Sequence, residues 1–94
     1  MLTNAYVLKP LFSQELCEEP IAIVGIIPMA FATGDALESF LHGQEVPQRL
    51  MREENHLVLE RTAVAHSPGE LAHEAWGFAS ELKTTFGLPD VQVF

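Results

Sequence analysis

The chain has 94 residues, 13 of them acidic and 5 basic, so its formal net charge is −8. This length suits a single domain over residues 1–94, and 48% hydrophobic residues exclude a disordered chain. An acidic surface repels phosphate groups, so the composition argues against direct binding of nucleic acid or anionic membranes. An acidic inhibitor that mimics nucleic acid is permitted by the charge, although the carboxylates are scattered along the chain.

The cysteine content and the apolar segments point to a cytoplasmic protein. Cys17 is the only cysteine, so no disulfide can form within the chain, and its acidic neighbours favour a structural role over a reactive one. The N-terminal residues do not resemble a signal peptide. The longest apolar run, residues 21–32, is interrupted by Gly25 and Pro28 and is shorter than the roughly 20 residues of a membrane span.

The first half of the chain predicts two strands followed by two helices. Strands are expected at 5–9 and 20–27, and the second is apolar on both faces, so both faces need to be covered. Thr33, Gly34 and Asp35 form a helix-start signal, with Asp35 and Glu38 as an acidic capping box. A helix is expected over 35–43, ended by Gly43. A second helix or a loop is expected over 47–54, with Pro47 in the first turn.

The second half predicts a long strand, a long helix and a short strand. In the strand over 56–66, alternation gives one face with the leucines and a mixed face with His56, Glu60, Thr62 and His66. Ser67, Pro68 and Glu70 form a capping box for a helix over 67–86. The core face of that helix is expected to contain Leu71, Ala72, Ala75, Phe78, Ala79, Leu82 and Phe86.

With a last strand over 90–94, these elements predict an α+β fold. The expected architecture is a four-stranded mixed sheet with two to three helices packed on one face. The helices then leave the other sheet face open, although the 20–27 strand is apolar on both sides. We therefore expect a homodimer through the open sheet face. The alternative is a monomer in which Tyr6, Leu11 or Phe12 folds over that face.

Two groups of residues are candidates for binding. His56, Glu60, Thr62 and His66 are candidate ligand-binding residues. A strand rises about 3.3 Å per residue, which separates His56, Glu60 and His66 too widely for one site within that strand. Along the last helix, small and polar residues beside a tryptophan predict a surface that another protein could approach closely. These candidates for a partner surface are His73, Trp76, Gly77, Ser80 and Thr84.

No pattern in the chain predicts catalysis or a cofactor. His66, Glu70 and His73 lie close in sequence, but Glu70 is needed for the capping box and no fourth metal ligand is indicated. Ser67 and His66 are expected to point in opposite directions at a strand end, so Ser67 fits an N-cap better than a nucleophile activated by His66. No glycine-rich phosphate-binding loop is present in the sequence.

These observations favour a small, non-enzymatic interaction or accessory protein that acts through protein–protein contacts as a homodimer. One alternative is a ligand-binding protein or enzyme with a pocket between sheet and helices or at a dimer interface. The other is the acidic inhibitor of a nucleic-acid-binding protein. Without a recognisable catalytic motif, the non-enzymatic function is preferred.

Overall fold

The computed structural model describes residues 4–12, 19–42 and 48–94, which form an α+β fold with a five-stranded mixed sheet. Cys17, Gly43 and Pro47 lie outside the described residues. The strand order is β3-β4-β2-β1-β5. The elements in chain order are β1 (Ala5–Leu8), β2 (Ile21–Pro28), a 3₁₀ turn (Met29–Phe31), α1 (Gly34–His42), β3 (Gln48–Arg52), β4 (His56–Ala63), α2 (Pro68–Phe86) and β5 (Val91–Val93).

The sheet is mixed because one pair of neighbouring strands is parallel. β5 runs parallel to β1, whereas the β1–β2, β2–β4 and β3–β4 pairs are antiparallel. The sheet therefore has one strand more than the four that the sequence predicts. The longest ladder joins β2 to β4 over eight residue pairs, from Ile21↔Ala63 to Pro28↔His56, and forms the centre of the sheet.

The additional strand is β3, and the expectation of a helix or a loop over 47–54 is wrong. Gln48–Arg52 pairs with β4 through five residues, and the Glu53 N–H donates to the His56 carbonyl at 2.9 Å to close a hairpin. Arg, Leu and Met favour helices by only a few tenths of a kcal/mol, so cross-strand pairing outweighs that preference. The strand predicted over 56–66 ends at Ala63.

The start of α2 follows the predicted capping box at Ser67, whereas Glu70 bonds to the N–H of His66, one residue before the N-cap. The Ser67 side chain accepts from the Glu70 N–H at 3.1 Å, and the Glu70 carboxylate accepts from the His66 N–H. The helix ends at Gly87, whose φ of 64° is left-handed and suits glycine. For α1 the capping residue differs from the predicted Asp35: the Thr33 hydroxyl accepts from the Ala36 N–H at 3.2 Å.

The core lies between one face of the sheet and α2. Ile23, Ile27, Leu57 and Leu59 are fully or almost fully buried on that sheet face. From α2, the predicted core residues Leu71, Ala75, Phe78, Ala79, Leu82 and Phe86 are buried, and Ala72 is half-buried.

Close contact between α2 and the sheet depends on a glycine in β2. A Cβ added at Gly25 would lie 2.7 Å from Leu82 Cδ1 and 3.2 Å from the Phe78 ring. Helix α1 packs beside α2 through Phe40, whose ring centroid lies 6.4 Å from that of Phe78 and 5.7 Å from that of Phe86. Both helices therefore pack into the core on the same side of the sheet.

Candidate functional site

The sheet face opposite the helices is apolar at its centre, and we call it the open face. Across the described strands no helix packs on it. The strand registers define one row, Gln92–Tyr6–Ile26–Val58–Met51, that crosses all five strands. A second row crosses four strands, Leu8–Val24–Glu60–Arg49.

Large apolar side chains of the open face are accessible to solvent. Leu8 is 40% exposed, Met51 39% and Phe94 58%, and the Phe94 ring packs against Tyr6 with a centroid separation of 5.7 Å. Leu11, one of the residues that could have covered this face, is 93% exposed. Phe12 packs against the buried core cluster instead. Neither residue buries the open face.

Three of the four candidate ligand-binding residues share the open face. His56, Glu60 and Thr62 alternate along β4 and are half-buried, opposite Pro28, Val24 and Ala22 of β2. Glu60 and Thr62 are neighbours on this face, about 6.6 Å apart along the strand, whereas His56 is about 13 Å from Glu60, as the sequence indicates. His66 does not join them, because it follows the end of β4, is exposed, and donates its N–H to Glu70.

The candidate partner surface lies on the exposed side of α2. His73, Gly77, Ser80 and Thr84 are all exposed, and Trp76 is 58% exposed. An added Cβ at Gly77 would meet nothing within 4 Å, so the glycine leaves open space above the helix. These residues form a continuous strip because positions three and four apart lie on the same side of a helix.

A groove lies along the side of α2 that adjoins β5. It has a volume of about 170 Å³ and is lined by Trp76, Ala79, Ser80, Lys83, Asp90 and Val91. The structure thus brings together Trp76 and Ser80, two residues of the predicted surface. Sequence reasoning missed Lys83 and Asp90, although Lys83 lies two helical turns after Trp76 and Gly87 turns the chain back towards the groove.

On its other side, α2 is joined to β4 by a charged residue that faces the core. The Arg61 guanidinium lies 4.4 Å from the centroid of the Phe78 ring and forms an ion pair with Glu81. The Arg61 side chain is 13% exposed. A guanidinium over an aromatic face is stabilised by the ring quadrupole, so this contact adds to the packing of α2 against β4.

Within the described residues, no group of three or more His, Cys, Asp or Glu side chains is arranged to hold a metal ion. His66, Glu70 and His73 therefore do not form such a group. Among the helices that the structure describes, none combines the length and apolar character needed to cross a membrane.

Comparison of the chain with protein-family models, with curated proteins and with solved structures gives no match. Functional interpretation therefore depends on the surfaces described above.

Proposed function

We propose that the protein is a non-enzymatic interaction protein that acts as a homodimer through its open face. The observation that supports this most directly is the apolar row Tyr6–Ile26–Val58–Met51, on the sheet side that the described helices leave uncovered. Removing such an apolar surface from water lowers the free energy of the system by about 25 cal/mol per Å². A second copy of the same chain presents the same apolar face, and two-fold dimers are the commonest oligomers.

The dimensions of the open face suit a dimer. The five strands are three to eight residues long, rise about 3.3 Å per residue and lie about 4.8 Å apart. The face therefore covers about 450 Å² in projection, and two such faces in contact would remove about 900 Å² or more. Specific protein interfaces begin at about that size.

The distribution of polar groups on the open face also fits an interface. Apolar residues come from the central and β1 positions, whereas Arg49, Glu60 and Thr62 lie on the β3–β4 side. Interfaces commonly combine an apolar centre with a polar margin. In a symmetric dimer each margin contains both Arg49 and Glu60, which can contribute charge pairing between the subunits.

The first test is native mass spectrometry of untagged protein, compared with an Ile26→Glu variant. The wild type is expected at twice 10.4 kDa and the variant at 10.4 kDa, because the substitution places a charge in the middle of the interface. Ile26 is half-buried on the open face, so the variant monomer should still fold.

Leu11→Glu is the matched control, since Leu11 is 93% exposed and lies outside the sheet. That variant should keep the mass of the dimer. A wild-type protein that stays monomeric at micromolar concentrations would contradict the proposal. So would an Ile26→Glu variant that dimerises as well as the wild type.

A second candidate function is the binding of a small ligand at the dimer interface. It is supported by Glu60 and Thr62, two neighbouring half-buried polar side chains on β4, with His56 farther along the same face and apolar residues of β1 and β2 beside them. Binding sites typically combine an apolar surface with a few polar groups of this kind. A small molecule retained by the wild-type dimer and lost in a Glu60→Gln dimer would favour this function.

A further inference from the structure

The groove between α2 and β5 lies beside an edge of the sheet that has no strand partner among the described residues. β5 is the last strand in the sheet order, with β1 on one side only. The Phe94 N–H donates to the Val7 carbonyl at 2.9 Å, and the Phe94 carbonyl accepts from the Lys9 N–H at 3.0 Å. Because successive residues of a strand point to opposite edges, the N–H and C=O groups of Val91 and Val93 point away from β1.

The two edges of the sheet differ in how they are protected. β3, at the opposite edge, contains Arg49 and Arg52, and charged side chains commonly protect a strand edge from pairing with other chains. The β5 sequence Val91–Val93 contains no charged residue and no proline. β5 is only three residues long, which limits pairing to a short segment, but its edge has no charged side chain and is the edge of the described sheet at which a short strand can add.

We propose that the β5 edge and the adjoining groove bind an extended peptide segment of a partner protein. The peptide would pair with the outward N–H and C=O groups of Val91 and Val93 as a sixth strand. Its alternate side chains would then point towards α2, where the groove is lined by Trp76 and Ala79. A strand added to a sheet edge beside a side-chain pocket is an established mode of peptide recognition.

The size and charge of the groove define the peptide. A cavity of about 150 Å³ holds one benzene ring, so the 170 Å³ groove accommodates one large apolar side chain. Lys83 and Asp90 also line the groove. They can pair with an acidic and a basic side chain of the peptide, one on either side of its apolar residue. Because the whole chain has a net charge of −8, a peptide with net positive charge would associate fastest.

The test is selection from a phage-displayed library of random peptides, each about nine residues long, on immobilised full-length protein. Selected peptides are then synthesised, and their Kd values are measured against variants. Val93→Pro removes the outward N–H, and proline is tolerated where a strand N–H faces solvent. Val93→Ala, which keeps the N–H, is its matched control. Ser80→Trp fills the groove from an exposed position.

The expected result is a set of peptides whose Kd values for Val93→Pro and Ser80→Trp are at least tenfold higher than for the wild type. Their Kd for Val93→Ala should be within about threefold of the wild-type value. The proposal is overturned if no peptide is enriched, or if the enriched peptides bind Val93→Pro as tightly as the wild type. The Ile26→Glu variant should bind the same peptides. Peptide binding therefore tests the groove independently of whether the protein dimerises.

Amide hydrogen exchange gives an independent measurement on the free protein. The Val93 amide should exchange at least about 100-fold faster than the Phe94 amide, whose N–H donates to Val7. A selected peptide should then slow exchange at Val93. Equal protection of both amides in the free protein would mean that the edge is already covered, and would overturn the proposal.

Discussion

Two glycines in contrasting surroundings show how single residues determine packing in this molecule. Gly25 is buried in β2, where an added Cβ would contact Leu82 and Phe78, both fully buried. Gly77 is exposed in the middle of α2, where an added Cβ would meet nothing within 4 Å. The same substitution should therefore have opposite effects at the two positions.

Gly25→Ala is expected to lower the free energy of unfolding by about 1–3 kcal/mol, because the new methyl group must displace packed side chains. Gly77→Ala is expected to raise it by about 1 kcal/mol, the difference in helix propensity between the two residues. Urea denaturation at one protein concentration measures both. A stabilising Gly25→Ala would show that α2 can move away from the sheet without penalty.

The same contrast explains why the sequence predicts the surroundings of some residues and not of others. The outward position of Gly77 follows from helical periodicity alone, whereas the closeness of Gly25 to α2 depends on which elements pack together. Arg61 is a similar case. Alternation along β4 assigns it to the leucine face, but its contact with Phe78 and Glu81 requires α2 to cross above that face.

Among the helices and strands, α2 has the clearest sequence signals for its own start and end. Ser67→Ala is expected to lower the free energy of unfolding by about 1 kcal/mol, because the Glu70 N–H loses its acceptor. Thr84→Ala, at an exposed position of the same helix, should be neutral or slightly stabilising. Thermal unfolding followed by circular dichroism compares the two, and equal midpoints would contradict a capping role for Ser67.

Sequence patterns predict the helices and strands whose ends are marked by neighbouring residues. They do not predict those that form only beside a segment distant in sequence. The capping box of α2 and its terminal Gly87 are contained in a few neighbouring residues. By contrast, Gln48–Arg52 has residues that favour a helix when considered alone, and it becomes a strand because β4 lies beside it. The groove was missed for the same reason, since it needs β5 to lie next to α2.

At the scale of the whole molecule, a dimer through the open face would make stability depend on protein concentration. Dissociation accompanies unfolding of a dimer, so the melting temperature should rise as the wild-type concentration is raised about 100-fold. The Ile26→Glu variant should melt at a temperature that does not change with concentration. Differential scanning calorimetry provides both series, and a constant wild-type melting temperature would contradict the dimer.

The parallel pairing of β1 with β5 also has a consequence for the kinetics of folding. β3 and β4 are joined by a short hairpin, whereas Ala5 pairs with Val91, near the other end of the described chain. Closing so large a loop costs conformational entropy before the contact stabilises the chain, and proteins with many such contacts fold more slowly. The β1–β5 pair is thus expected to form late, after β2, β4 and α2 have assembled.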